Sequence, residues 1–238
     1  MSDARSPHGE AAGTLRLGVL VSGHGSNLRA VIEACASGRL DAEVALVASN
    51  KRSAPALAVA TAAGIPARAF PIPEHGGNVA DRDAAMAAAL REAGVDLVVC
   101  AGYDRVLDDG FVWAFKDRIL NLHPSLLPAF AGGMYAIREA WESGVKVTGV
   151  TVHLVEPGTL DGGTIVAQEP VRIEDWDTLA ELEARIHATE HEQLVEVIGL
   201  WRRRRLWRGP HRIVVAPDGA LPPEGFTLLG DPLPKEER

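Results

Sequence analysis

The chain has 238 residues, enough for one large α/β domain or two small ones with a core that needs no staples. Its formal charge is −8 and its one dense basic run is short (Arg202–Arg205), which argues against a dedicated nucleic-acid binder while leaving room for a local anion pocket. Cys35 and Cys100 sit in apolar runs as small hydrophobes, outside any metal-ligand spacing. Met1 to Thr14 lacks the apolar stretch of a signal peptide, and no apolar run is long enough to span a bilayer. A reduced, cytoplasmic protein without a membrane partner is expected.

Met1 to Thr14 reads as a disordered tail. Leu15 to Ser22 is then a strand, broken by Gly23-His24-Gly25-Ser26-Asn27. A helix follows with Leu28, Val31, Ile32 and Cys35 on one face, ending at Gly38. Glu43 to Ser49 is a buried strand. Pro55 to Ala63 is a helix with proline in its first turn. Ala67 to Ile72 is a third strand, Val79 to Ala93 an alanine-rich helix, and Asp96 to Ala101 a fourth, almost wholly apolar strand. Continuous apolar strands alternating with helices predict a doubly wound, mostly parallel sheet covered on both faces.

The second half differs. Ile119 to His123 is a short strand. Val145 to Leu154 is a longer one, with Thr164 to Pro170 as its antiparallel partner. Thr178 to Trp201 is a long amphipathic helix with capping-box spacing between Thr178 and Glu181. Arg202 to Arg205 reads as the solvated end of that helix, where cations suit the dipole. Arg212 to Val215 is one more short strand, and the Pro/Gly-rich remainder trails over the surface.

The loop from Gly23 to Asn27 lies between a strand and a helix start. Its glycines let the backbone approach a ligand, and the helix N-terminus offers free N–H groups to an anion. A tight turn with Ser26 as N-cap explains it equally well. Leu28 stands at the third glycine position of the dinucleotide fingerprint, and no Gly-Lys-Ser/Thr follows. A phosphorylated small molecule therefore fits better than NAD or ATP.

Asn121 and His123 are two residues apart at a strand end and share a face. The amide could stabilise an oxyanion and the imidazole could move protons. By spacing alone, a core histidine with a local hydrogen bond is the plainer reading. Asp161, in Leu160-Asp161-Gly162-Gly163, reads first as a turn residue, and it could orient His123 if the fold brings the two together.

The segments SGHGSNL, AGYDRVL, NLHPSLLPAF, VTGVTVHLV, LDGG and TEHEQLV occur in this order. Together they resemble the folate-dependent formyltransferases, and among these phosphoribosylglycinamide formyltransferase of the purine pathway. The likeness runs from about Leu15 to about Leu206. Asn121 followed by His-Pro-Ser-Leu-Leu-Pro is its most specific part.

The resemblance implies a Rossmann-like formyltransferase domain over 15–206, after a tail at 1–14 and before a C-terminal extension at 207–238. Its N-terminal half would bind phosphate and nucleotide, its C-terminal half folate. The implied reaction is direct formyl transfer from 10-formyltetrahydrofolate to the amine of 5'-phosphoribosylglycinamide, without metal or covalent intermediate. The implied catalytic residues are Asn121, His123 and Asp161. Gly23, His24, Gly25, Ser26, Asn27 and Glu190 would bind the acceptor. Arg82, Arg105, Val106 and Leu107, with Asn121, would meet the folate, Arg82 at its glutamate tail. The partners implied are small molecules, with a monomer or homodimer as the assembly.

The chain departs from the family pattern in four places. Asp104 replaces a methionine or other apolar residue at the junction of the two substrates. AGGMYAIREAW after Phe130 replaces a segment that carries a histidine, VEPGTL before Asp161 is one residue longer, and His187 stands where lysine or glutamine is common. Methionyl-tRNA formyltransferase shares the central motif but carries a further C-terminal domain and basic tRNA-binding surfaces. Formyltetrahydrofolate deformylase normally adds an N-terminal regulatory domain and lacks proline after the histidine. A silent folate- or nucleotide-binding module would not require Asn121, His123 and Asp161 together.

Overall fold

The apolar run Leu15–Val21 forms β1, buried on both faces as a strand inside a covered sheet must be. The structure, a computed structural model, describes residues 13–230, so the expected tail lies outside the described residues except for Gly13 and Thr14. In chain order follow α1 (Ser26–Ala36), β2 (Ala42–Ser49), α2 (Pro55–Ala62), β3 (Ala67–Ala69), α3 (Val79–Glu92), β4 (Leu97–Cys100), α4 (Asp109–Ala114) and β5 (Ile119–His123). The second half continues with α5 (Ala136–Ser143), β6 (Val147–Leu154), β7 (Ile165–Arg172) and α6 (Leu179–Arg202). It closes with β8 (Leu206–Arg208), β9 (Ile213–Val215) and β10 (Thr227–Leu228).

The seven-stranded sheet has the order β3-β2-β1-β4-β5-β6-β7. β1 to β5 run parallel, β6 is antiparallel to β5, and β7 is antiparallel to β6. This is the expected doubly wound α/β sheet with an antiparallel extension. One face is covered by α1, α2, α5 and α6, whose Leu28, Ala60, Ile137 and Leu194 share a core with β1 and β6. The other is covered by α3 and α4 through Met86, Leu90, Phe111 and Phe115. The chain order reverses between β1 and β4, so their carboxyl ends open a crevice.

Several elements depart from expectation. β3 stops at Ala69: the last ladder bond is Phe70 N–H to Ser49 O at 2.7 Å, and Pro71 has no donor with which to continue. Ile72–Glu74 turns as a short 3-10 helix instead. The helices α4 and α5 were not foreseen; α4 is short and begins on Asp108, which accepts the N–H of Gly110. The C-terminal segment does not simply trail over the surface. β8, β9 and β10 form a second sheet, and Leu229 is buried under it.

The arginine run is likewise more than a solvated helix end. Arg202 pairs with Asp41, and Arg205 with Asp218 and the carbonyl of Ala216. The capping box on α6 is present as its spacing predicted. Among the described residues, no helix is long and apolar enough to cross a membrane.

Candidate active site

β5 ends in Asn121 and His123, and β6 runs beside it in the opposite direction. Asn121 lies opposite His153, and His123 opposite Thr151. Directly opposed residues of an antiparallel pair share a face, so all four project to one side.

The loop after His123 is pinned there. Thr151 Oγ1 donates to Ser125 O at 2.7 Å and accepts the Leu127 N–H at 3.1 Å. Gln168, opposite Thr151 on β7, donates from Nε2 to Leu127 O and Thr151 Oγ1. Gly149 lets this loop lie close: a Cβ there would come within 2.2 Å of Glu169 O and 2.6 Å of Leu126.

His123 is buried, and its Nε2 lies 3.0 Å from Phe130 O, which can only accept, so Nε2 carries the hydrogen. Its Nδ1 lies 3.5 Å from Asp161 Oδ2. The fold thus brings Asp161 to His123 despite the longer approach through VEPGTL. Asp161 is held in a left-handed turn (φ 52°) and accepts the Gly132 N–H at 2.9 Å. With Nε2 donating to Phe130, Nδ1 is the ring nitrogen that faces the carboxylate.

His153 was not singled out from the sequence, because nothing but strand pairing sets it beside Asn121. Its Nδ1 donates to Leu154 O at 2.9 Å, which leaves Nε2 to accept from Asn121 Nδ2 at 3.0 Å. Burial pushes the pKa of His153 down, in keeping with this neutral tautomer. His153 takes one amide hydrogen of Asn121 and fixes the plane of the group; the second remains for a ligand oxygen. Asp161 Oδ1 lies 3.7 Å from His153 Nε2, so one carboxylate faces both imidazoles. Among the described residues, no group of three or more His, Cys, Asp or Glu is placed to hold a metal ion.

At the end of β1 the N-cap of α1 is Gly25, not Ser26, and no side chain caps the helix. The N–H groups of Ser26, Asn27 and Leu28 therefore stand in the first turn, with the first helical bond running from Arg29 N–H to Gly25 O. Gly25 adopts φ 80°, and a Cβ on it would meet Ala56 Cβ at 2.7 Å. Asn27 is buried with its Oδ1 unpartnered. Gly23 and His24 complete a loop of this shape. Glu190 lies buried on α6, which packs on α1, and accepts from His187 Nδ1 at 2.7 Å. That bond raises the pKa of His187.

The residues expected to meet folate separate. Arg105 and Val106 are exposed on the loop between β4 and α4, while Leu107 is buried in the second core. Arg82 points away from the crevice surface. It is fully buried on α3 and ion-paired with Asp83, whose Oδ2 accepts the Asp108 N–H at 2.7 Å. The i, i+4 spacing on α3 turns Arg82 inward with Met86. Burial raises the carboxyl of Asp83, and it lifts the nearby Cys100 thiol to about 12.

The description "formyl transferase" belongs to the family whose profile matches residues 15–198. Phosphoribosylglycinamide formyltransferase of Bacillus subtilis is 40% identical over 183 residues, 77% of this chain and 92% of that protein. The enzyme of the same name from Haemophilus influenzae is 38% identical over 212 residues, covering 89% of this chain and 98% of that protein. The crystal structure of glycinamide ribonucleotide transformylase 1 from Symbiobacterium toebii superposes with a TM-score of 0.81 at 42% identity, covering 86% of this chain and 95% of that one.

Proposed function

The chain belongs to the formyl transferase family, and we propose that it transfers a formyl group from 10-formyltetrahydrofolate to the amine of 5'-phosphoribosylglycinamide in de novo purine (IMP) biosynthesis. The observation that carries this reading is the meeting of Asn121, His123 and Asp161 at the end of β5, with His123 Nδ1 3.5 Å from the carboxylate.

In this reading the acceptor amine attacks the formyl carbon and the formyl oxygen gains negative charge. The free N–H of Asn121 and the ring of His123 stabilise that oxygen. Asp161 orients that ring and holds a water. As the new C–N bond forms and the C–N10 bond of the folate breaks, a proton passes from the attacking nitrogen to N10 through that water. No enzyme residue forms a bond to the formyl group, and no metal takes part.

The acceptor phosphate sits against the loop Gly23, His24, Gly25, Ser26 and Asn27 at the amino end of α1, where helix N–H groups and dipole favour an anion. Glu190 contacts the nucleotide's ribose or amide side. The folate lies against Arg105, Val106, Leu107 and Asn121. Residues 15–206 form the formyltransferase unit and 207–238 an extension, whose described residues supply most of the second sheet.

The test is an absorbance assay of the 10-formyl donor with and without glycinamide ribonucleotide. Formyl loss that requires the acceptor is the expected result. Formyl loss without acceptor would instead make the chain a deformylase, and no turnover with any acceptor would make it a binding module.

A further inference from the structure

In the proposed reaction the two substrates lie on different loops. The acceptor phosphate sits on the loop after β1, and the folate on the loop after β4. The distance between amine and formyl carbon then depends on how these loops are fixed to each other, and nothing in the catalytic trio fixes it.

The fixing contact lies at the crevice between the strand ends. Asp104 N–H donates to Ser22 Oγ at 2.9 Å. Ser22 Oγ donates to Asn50 Oδ1 at 2.7 Å, and Asn50 Nδ2 donates to Asp104 Oδ1 at 2.9 Å. The three bonds close a ring across the ends of β1, β2 and β4. A main-chain bond from Ser22 N–H to Gly102 O at 3.0 Å lies beside it. Ser22 and Asn50 are buried, so the ring is shielded from competing water. Outside the ring, Lys51 Nζ pairs with Asp104 Oδ2, and Arg105 Nε lies 3.6 Å from Oδ1.

We propose that Asp104 is a positioning residue: through this ring with Ser22 and Asn50 it holds the acceptor loop against the donor loop and sets the distance over which the formyl group moves. The inference rests on the formyl-transfer reading. Ser22 directly precedes Gly23, and Asp104 directly precedes Arg105, so any shift at the ring passes to both loops. The ring needs from residue 104 an oxygen at Oδ1 and the main-chain N–H. It does not need the negative charge. A contact made for charge, to Lys51 or to a ligand, needs the carboxylate.

Two substitutions separate these requirements. Asp104→Leu breaks the ring, and kcat falls between tenfold and about a hundredfold, the scale of a misplacement of about 1 Å. Each substrate's Kd, measured alone by calorimetry, stays within threefold of wild type, because each loop keeps its own ligand contacts. Asp104→Asn keeps the ring oxygen and retains at least a third of the wild-type kcat. Ser22→Ala opens the ring from the other side, reproduces the Asp104→Leu loss and carries the test if the leucine variant does not fold. A kcat loss below tenfold in the ring-breaking variants overturns the proposal. So does an Asp104→Asn variant that falls as far as Asp104→Leu, or a loss that resides in Kd. Wild-type protein without acceptor-dependent turnover would overturn the formyl-transfer reading itself, and this inference with it.

Discussion

Replacing Asp161 by asparagine removes one charge and almost no volume. The carboxylate Oδ2 lies 3.5 Å from His123 Nδ1, and the two side chains are 11% and 6% exposed. At that separation opposite unit charges attract by about 5 kcal/mol at an effective dielectric of about 20, and by about 1 kcal/mol in bulk water. A positive charge that develops on the ring during transfer, at this nearly buried crevice edge, is stabilised between these limits, by about 3 kcal/mol. If the amide oxygen keeps the Gly132 N–H, the same oxygen still faces His123 Nδ1 without its charge, and the NH₂ takes the Oδ1 place beside His153 Nε2. At about 1.4 kcal/mol per decade, Asp161→Asn lowers kcat by about two orders of magnitude, with substrate Kd values little changed. Steady-state absorbance of the donor gives kcat, and calorimetry gives Kd. A variant with kcat within threefold of wild type, or a loss confined to KM, would refute the assigned role.

Arg82→Met leaves the buried Asp83 carboxylate without its partner, so we expect a loss of about 3–5 kcal/mol in denaturant unfolding and no dependence of the effect on the length of the folate's glutamate tail. Unchanged stability with a raised donor KM would return Arg82 to the ligand. Gly25→Ala forces φ 80° on a residue with a Cβ, at a cost of about 1–2 kcal/mol before the contact with Ala56 is counted; acceptor affinity falls at least tenfold while donor affinity holds, and calorimetry with equal affinities for both proteins would contradict it. Burial lowers the folded pKa of His153 below its ordinary 6.5, so the unfolded chain takes up this proton first on acidification. The stability it contributes is complete above pH 6.5 and declines as the pH falls toward the lower folded value. His187, held above 6.5 by Glu190, has the opposite sign: its contribution is full below pH 6.5 and fades as the pH rises through its folded value. The unfolding free energy of His153→Gln should therefore drop less than that of wild type between pH 7 and pH 5, and parallel curves would contradict the burial of a neutral His153.

Most of the sheet was legible because its strands are continuous apolar runs bounded by turn residues, as in Leu15–Val21 and Leu97–Cys100. Elements held by tertiary contacts were not. The short helix α4 has no long apolar period, and it forms because Asp108 caps it while Phe111 and Phe115 pack under α3. The strand β10 consists of two residues, and only pairing with β8 defines it. Arg202 and Arg205 read as solvated charges because their partners, Asp41 and Asp218, are remote in sequence or lie beyond the second-sheet turn.

The site divides along the same line. Asn121 and His123 lie on one strand, and their common face follows from a spacing of two. Asp161 has no such guarantee. Its placement depends on three separate contacts: Gly132 N–H, His123 and His153. His153 was invisible for a complementary reason, since a histidine in an alternating strand carries no mark of what lies across the ladder. Arg82 is a different case: the family resemblance, not the helix pattern, pointed it at the folate, and packing shows that its side chain lies on the inward face of α3. Asp104 stood out only as a departure from the family pattern. The ring with Ser22 and Asn50 gives that departure a physical cause: the three residues come from three different strand ends, and only the order reversal between β1 and β4 brings those ends to one crevice. The residues that carry chemistry are thus readable where one strand presents them together, whereas those that set distances between loops become visible only once the sheet order is known.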